Sequence, residues 1–386
     1  MLIFLVNKPQ MTSVTNPKYS FILPCQNEED ALPYCLKKIK TVISKHNLDA
    51  EIVVSDSSTD KSPEIALEFG VVLAKHDKSG YGNAYLEGFK VAKGEIFILG
   101  DADDTYDFGE VPNLLKYIND YDLVLGERKY IHNGAMPFIN KYLGNPFLSW
   151  VLRFLFHIKV KDCHTGMRVI KKIALEKLNL KTTGMEFASE MIIQAGKKHL
   201  SIKEVPINYY PRKGETKLRR LPDGWRHLRF MFLYSPLYLF FIPGIILFIL
   251  GIFSMLIFYL DLSYILGIKL YYHPMFLSSL STVAGFQLVI FSIFAKTYAI
   301  THLGEESKFM NFIYRHITIE KAGFFGLIVL VIGIWIYVKI FVDWISSGFG
   351  NMNEIKNSIL ALTLILLSIQ TISGAFMLSI LGIKEK

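Results

Sequence analysis

In its C-terminal part the chain carries four stretches without a single Asp, Glu, Lys or Arg, at 230–260, 270–295, 322–338 and 357–383. A helix needs roughly 20 apolar residues to cross the hydrocarbon core of a bilayer, and only a segment that satisfies its own backbone polar groups is tolerated there. The third stretch is interrupted by Lys339, which can snorkel from a helix end, and resumes over 340–342. Four membrane-spanning helices are therefore predicted, at about 233–260, 275–300, 322–342 and 358–383. No single globule accommodates such a sequence. The chain divides into an N-terminal extension (1–17), a mixed, water-compatible domain (18–231) and a transmembrane domain (232–386).

The distribution of positive charge predicts the orientation. Arg212, Lys213, Lys217, Arg219, Arg220, Arg226 and Arg229 crowd the segment before the first span; Lys308, Arg315 and Lys321 lie between spans two and three, and Lys384 and Lys386 in the tail. The other two loops hold only Lys269 and Lys356. The large domain and the C-terminus are expected on the cytoplasmic side of a multi-pass cell-membrane protein. The opening MLIFLVNKPQ has a short apolar run with no basic residue before it and no cleavage-type pattern after it, unlike a signal peptide. Cys25, Cys35 and Cys163 lack paired spacing, which argues for a reducing compartment and against a disulfide framework. Cys163 and His164 could begin a metal site, but partners for them are missing.

Before the spans, strand and helix patterns alternate. Strands are predicted at 19–23, 51–55, 71–74, 96–99 and 122–126, and helices at 28–45, 62–69, 82–92 and near 111–117. The first helix is expected to carry acids in its first turn and lysines later, as the helix dipole favours, and the second to start at a capping Ser62 with Gly70 past its end. This alternation predicts an α/β domain with a parallel sheet covered by helices on both faces. In such sheets ligands bind outside the carboxyl ends of the strands. Polar clusters fall at those ends: Pro24, Gln26, Asn27 and Glu28 after strand one; Asp56, Ser57 and Ser58 after strand two; Lys78 and GYGNA (Gly80–Ala84) after strand three; Asp101, Asp103 and Asp104 after strand four. GYGNA lacks the third glycine of the dinucleotide fingerprint and follows the third strand, which disfavours a nicotinamide enzyme. GDADDTYDF packs four carboxylates into seven positions, an arrangement that calls for a cation.

With LPCQNEE, VVSDSSTD, GYGNAYLEGFKVAKGEIFILGDADDTYDF, GERKY, DCHTGMRVI, GMEFASEM and YYPRKGETKLRRLPDGWRHLRF in hand, residues 19–231 resemble family 2 glycosyltransferases of the GT-A fold. More narrowly they resemble membrane-bound polyprenyl-phosphate sugar synthases of the dolichyl-phosphate mannose or glucose type. The resemblance implies a Rossmann-like GT-A catalytic domain followed by four transmembrane helices. It also implies a nucleotide-sugar site made by Pro24, Gln26, Asn27, Glu28, Asp56, Ser58, Lys78, Gly80 and the DxD motif Asp101-Ala102-Asp103. Asp56 is expected to meet the base, and Asp101 and Asp103 to hold a divalent cation, Mg2+ or Mn2+, together with the diphosphate. Two departures stand out: Thr105 replaces a glutamine that related mannose synthases often place two residues after DxD, and Ser55 replaces an acid.

The same resemblance puts Arg128, Arg168, Arg212, Lys217 and Arg219 at the rim of the site, toward an acceptor phosphate. Such a phosphate carries roughly −1.5 to −2 charge at neutral pH, so it is nucleophilic without a strong general base. Asp103, Arg128, Asp162 and Lys217 are expected to carry catalysis, with Glu186 and Glu190 as further candidate bases or positioning groups. The implied reaction is an inverting transfer of one sugar, from UDP-glucose ahead of GDP-mannose, to a polyprenyl phosphate. Apolar segments near 140–160 and 222–231 are expected to lie at the bilayer surface. The expected partners are the nucleotide sugar, the lipid phosphate and the bilayer, with no nucleic acid, and the transmembrane helices offer a surface for a homo-oligomer. A processive polysaccharide synthase is an alternative, but such enzymes carry Gln-x-x-Arg-Trp, and here Leu221 and Gly224 precede Trp225. A non-catalytic membrane scaffold is another, disfavoured by the intact DxD motif.

Overall fold

The structure, a computed structural model, describes residues 16–214, 220–262, 264–265, 268–302, 314, 318–350 and 352–382. Residues 1–15, Lys217, Arg219, Lys308, Arg315, Lys384 and Lys386 lie outside the described residues. The chain forms two compact units, Met1–Leu233 and Tyr234–Lys386.

The first unit opens with β1 (Tyr19–Cys25), α1 (Leu32–Lys45), β2 (Ala50–Asp56), α2 (Ser62–Glu68), β3 (Val72–Lys75), α3 (Tyr81–Val91) and β4 (Ile96–Leu99). It continues through α4 (Val111–Leu115), β5 (Leu123–Ile131), α5 (Asn145–Phe156), β6 (Arg168–Lys171), α6 (Lys172–Leu178), α7 (Phe187–Lys197), β7 (Ile202–Tyr209) and α8 (Arg220–Leu233). The sheet order is β3-β2-β1-β4-β6-β5-β7. The first four strands run parallel as expected, but β6 enters antiparallel to both β4 and β5, so the sheet is mixed. Arg168 heads β6 opposite Leu99 and Leu125, which brings the DCHTG loop alongside the end of β4.

The central strands are apolar on both faces because both are covered. Phe21 and Leu23 face α1, whose Leu32, Cys35, Leu36, Ile39 and Val42 form one buried stripe. Burying side chains of this size contributes about 1.5–3 kcal/mol each. The opposite face holds α3, where Gly88 lies against Ile22, and a stack in which Tyr85 meets Phe187 at 5.3 Å and Phe89 meets Phe97 at 5.7 Å.

Two helix starts differ from expectation, and both differences shape the crevice. α1 begins at Leu32 and has no acid in its first turn. Glu28 instead forms a turn that accepts the Ala31 and Leu32 amides, while its own N–H donates to Ser62 Oγ at 2.9 Å. Ser62 is thereby the first residue of α2 and not its cap. The hydroxyl that would have capped a helix instead ties the loop after β1 to the loop after β2.

The second unit holds four helices long and apolar enough to cross a membrane, at Leu237–Tyr259, His273–Thr301, Glu320–Ser346 and Ile355–Gly382. Lipid offers no hydrophobic drive for helix association, so close packing and hydrogen bonds must supply it. A Cβ built on Gly285 would lie 2.3 Å from the Phe248 amide nitrogen, and one on Gly251 would lie 2.5 Å from that of Thr282. Ser254 donates to Ser278 at 2.8 Å, Ser279 meets Thr363 at 2.6 Å, and Gln370 donates to Gln287 at 2.9 Å. Gly285→Leu is expected to force the first two spans apart, an overpacking cost of at least about 1–3 kcal/mol. A lowered thermal unfolding midpoint of the detergent-solubilised protein checks this, and an unchanged midpoint refutes it.

Candidate active site

The loops after β1, β2 and β4 lie side by side because their strands pair in parallel register. Side chains stitch the first two together. The Asn27 amide donates to Ser58 Oγ at 2.7 Å, and Asn27 Oδ1 accepts the Thr59 amide at 2.8 Å. Asp56, fully buried, accepts from Ser58 Oγ at 2.5 Å and from Lys75 Nζ at 2.9 Å. Lys75 also reaches the Ser58 carbonyl at 2.9 Å. Sequence reasoning did not single out Lys75, although a lysine ending the strand beside Asp56 was the available signal.

The four carboxylates of GDADDTYDF have separate fates. Asp107 caps the short turn after it by accepting the Gly109 amide at 3.0 Å. Asp104, in the left-handed region at φ 62°, binds Lys38 Nζ at 2.7 Å and Lys213 Nζ at 2.9 Å. Only Asp101 and Asp103 face the crevice. Asp101 accepts from Tyr81 O–H at 2.9 Å and lies under Gly166, where a Cβ would come within 2.5 Å of its Oδ2. Desolvation, and next the charge of Asp103, push its pKa up to about 7. Asp103 Oδ1 accepts the Thr105 amide at 3.1 Å and its hydroxyl at 2.6 Å, leaving Oδ2 to Arg212 Nη1 at 3.0 Å. The other Nη of Arg212 binds Glu28.

These residues fit a divalent cation. Asp101 resists ionisation and its neighbour Asp103 already draws in a guanidinium, so the pair is a donor set that favours positive charge. Among the described residues no group of three His, Cys, Asp or Glu side chains converges as a closed metal cage. An ion here would complete its shell with ligand oxygens and water, as Mg2+ commonly does. Cys163 Sγ lies 3.1 Å from His164 Nδ1, but that pair has no third ligand of this kind, and burial pushes the thiol up to about 12. It is a structural thiol.

On the other side of the crevice Arg128, on β5, forms a fork with Asp162: Nε to Oδ2 and Nη2 to Oδ1, both 2.7 Å. The guanidinium lies over the Tyr209 ring at 5.2 Å. Burial alone would raise the Asp162 pKa, but the Arg128 charge and hydrogen bonds hold it below the usual carboxylate range. Asp162 is thus an ionised anchor that fixes Arg128, not a base with a free lone pair.

The family model for glycosyl transferase family 2 matches residues 20–178, and that for the family 2 C-terminal transmembrane region matches residues 293–382. The low-salt glycan biosynthesis hexosyltransferase Agl6 of Haloferax volcanii is 37% identical over 95% of this chain and 89% of its own length. The chain belongs to glycosyltransferase family 2. The dolichyl-phosphate hexose transferase of the same organism is 34% identical over 55% of this glycosyltransferase and 92% of its own length. Among solved structures, glucosyl-3-phosphoglycerate synthase of Mycobacterium tuberculosis, in complex with Mn2+, uridine diphosphate and glucosyl-3-phosphoglycerate, aligns at TM-score 0.46 and 18% identity, over 59% of this chain and 86% of its own. The glycosyl transferase match lies in the first unit and the transmembrane-region match in the second, and the protein is a multi-pass membrane glycosyltransferase.

Four expected site residues of this glycosyltransferase sit differently from the sequence reading. Arg168 is not at the rim: it is 2% exposed beneath the DCHTG loop, donating to the carbonyls of Thr165 at 2.9 Å and Cys163 at 3.2 Å. Its place at the head of β6, between two strands, leaves it no path to the surface. Gly80, at φ 117°, serves a backbone approach, since a Cβ there would strike the Thr183 carbonyl oxygen at 2.3 Å. The amides of Gly82 and Asn83 are likewise spent on the Gly184 and Thr183 carbonyls. Lys78 pairs with Glu87 on α3. Glu190, a candidate base, is fully buried with both oxygens committed to Lys181 and Thr182. Pro24 and Asp56 lie within the last residues of β1 and β2, and Gln26, Asn27, Glu28, Ser58, Asp101, Ala102 and Asp103 follow the carboxyl ends of β1, β2 and β4.

Asp101 sets a pH dependence. A carboxyl in the unfolded chain ionises near 3.8, whereas Asp101 holds its proton to about 7. Between those values the folded chain binds the extra proton, so this group's stabilisation is lost as pH rises through the window. In cation-free buffer Asp101→Asn is expected to flatten the fall in unfolding midpoint between about pH 5 and pH 7.5. A slope identical to wild type would count against it.

Proposed function

We propose that this glycosyltransferase transfers one hexose from a nucleotide sugar to a polyprenyl phosphate at the cytoplasmic face of the cell membrane, with inversion at the anomeric carbon. The observation that carries this reading is the pairing, in one GT-A domain joined to membrane spans, of two crevice carboxylates, Asp101 and Asp103, with the fixed arginine fork of Arg128. The names of its relatives, a hexosyltransferase of glycan biosynthesis and a dolichyl-phosphate hexose transferase, support the same acceptor and sugar class. UDP-glucose is the favoured donor and GDP-mannose the next.

In this mechanism Asp56, Ser58 and the Pro24–Glu28 loop hold the nucleoside. Asp101 and Asp103 hold Mg2+ or Mn2+, which when bound offsets the diphosphate charge. Arg128, whose Nε and Nη2 are held by Asp162, orients the acceptor phosphate through the remaining Nη1, from a fixed position that lysine cannot reproduce. A phosphate oxygen of the acceptor forms the bond to the anomeric carbon as the bond to the nucleotide diphosphate breaks, and the leaving nucleotide takes the electron pair. Because the acceptor is already ionised, no proton need be removed. An α-linked donor thereby gives a β-linked lipid phosphosugar. Lys217 and Arg219, outside the described residues, are assigned to the phosphates through the family resemblance alone.

Helix α5 supports access to a membrane-held acceptor. Its Leu148, Val151, Leu152 and Leu155 are buried, whereas Phe147, Trp150 and Phe154 present a half-exposed aromatic face, with Phe138, Ile139, Tyr142 and Leu143 exposed just before it. Helix α8 packs against α5. An aromatic face of this kind suits the headgroup boundary.

Incubation with a panel of nucleotide sugars and a polyprenyl phosphate, followed by mass analysis of the lipid, tests the proposal. A single-hexose lipid phosphate is expected, and a polymer or no lipid product would sink it. Asp103→Asn is expected to lower turnover by about 100-fold or more, the scale of losing a main electrostatic stabiliser; near-normal turnover would remove Asp103 from the site. Arg128→Lys is expected to raise the acceptor KM by about tenfold through loss of the fork, with the donor KM little changed, and an unaltered acceptor KM would contradict its role.

A further inference from the structure

Arg128 and Arg212 both face carboxylates in the crevice, yet they are held very differently. Arg128 is enclosed: its side chain is 8% exposed, its fork is matched by Asp162, and its backbone amide donates to the same carboxylate at 3.2 Å. Arg212 is 19% exposed and spans two separate acids, Asp103 and Glu28, that come from different loops. Its Nε is buried without a hydrogen-bond partner among the described residues. A buried donor left unmatched marks a seat that does not fully satisfy its occupant.

That seat is the oxygen a cation needs. Asp103 Oδ1 is already engaged by Thr105, so Oδ2, the atom Arg212 holds, is the one left for a metal ion. The segment carrying Arg212 is laid along the DxD turn by backbone bonds, Tyr210 N–H to the Thr105 carbonyl at 2.9 Å and Lys213 N–H to the Asp103 carbonyl at 3.2 Å. Lys213 adds an ion pair with Asp104 and a contact 3.3 Å from the centre of the Tyr34 ring. A hard divalent ion binds carboxylate oxygen at about 2.0–2.6 Å with twice the charge, closer than the 3.0 Å guanidinium contact. On one oxygen the two positive charges repel each other, so the ion weakens the guanidinium's hold on Oδ2.

We propose that Arg212 is a placeholder for the divalent cation: guanidinium and ion compete for Asp103 Oδ2, and the arriving ion releases Arg212 and loosens the strap 210–214 from the crevice. The released guanidinium is then within reach of phosphate oxygens brought by the donor, which suit its geometry. This rests on the cation site of the proposed function and adds that the apo protein blocks that site with its own charge. Apparent ion affinity is then lowered by the fraction of molecules in which Arg212 is seated.

The test is Mn2+ binding to the purified full chain without nucleotide, by calorimetry, with Asp103→Asn as the site control. Arg212→Met is expected to bind Mn2+ about two- to fivefold more tightly than wild type, the range set by a partly exposed ion pair. Lys213→Met removes the same charge one residue along the chain but frees no atom of Asp103, and is expected to match wild type. Equal tightening by both variants would reduce the effect to general electrostatics and overturn the proposal, as would an unchanged Arg212→Met. Should wild type and both variants all fail to bind Mn2+, the cation site itself is lost, and this inference with it. In the wild-type chain, where no variant need fold, saturating Mn2+ is expected to speed hydrogen exchange at the Tyr210 and Lys213 amides; unchanged protection there would also overturn the release of the strap.

Discussion

Two carboxylates at the carboxyl end of β4 organise the first unit. Asp101 and Asp103 lie one residue apart at the end of the parallel part of a mixed sheet, where desolvation and their mutual repulsion leave one of them reluctant to ionise. Everything around them answers that charge. Tyr81 donates a hydroxyl from α3, Thr105 folds back from the next turn, and Arg212 reaches in from the chain after β7. Gly166 belongs to the same response, because only a residue without a Cβ lets the DCHTG loop close over Asp101. The loops after β4 and β7 and the loop before β6 therefore depend on one local concentration of negative charge.

Three arginines show how environment separates residues of identical chemistry. Arg168 is spent on backbone carbonyls inside the fold and braces the DCHTG loop. Arg128 is fixed by a matched carboxylate and an aromatic ring, a geometry that preserves direction at the expense of freedom. Arg212, the most exposed of the three, is shared between two acids from different loops. A sequence displays three equal positive charges; solvent access and hydrogen-bond matching separate them into one held by carbonyls, one matched by a carboxylate and one shared between two loops.

In the second unit the same question of satisfaction is answered without water. Glycines at 244, 251 and 285 let the first two spans touch backbone to backbone, and Gly326 and Gly333 do so for the last two. Hydroxyl and amide pairs such as Ser279–Thr363 and Gln287–Gln370 then link the second span to the fourth. Apolar side chains alone, equally at home against lipid, would not select these neighbours.

What the sequence determined by itself was whatever depends on local composition and order: the four spans, from uninterrupted apolar length; the early alternating strands and helices, from periodicity; and the position of the acid-rich turn after an apolar strand. The likeness of its motifs to a known family supplied the expected roles. Tertiary structure alone decided which like-charged residues meet. The antiparallel entry of β6 buried Arg168, and the diversion of Ser62 to the Glu28 amide moved the acids of 28–30 out of α1. Asp104 and Asp107 were claimed by lysines and a turn, leaving two acids for the crevice. Charge, spacing and hydropathy are properties of neighbours in the chain, whereas desolvation and pairing belong to neighbours in space.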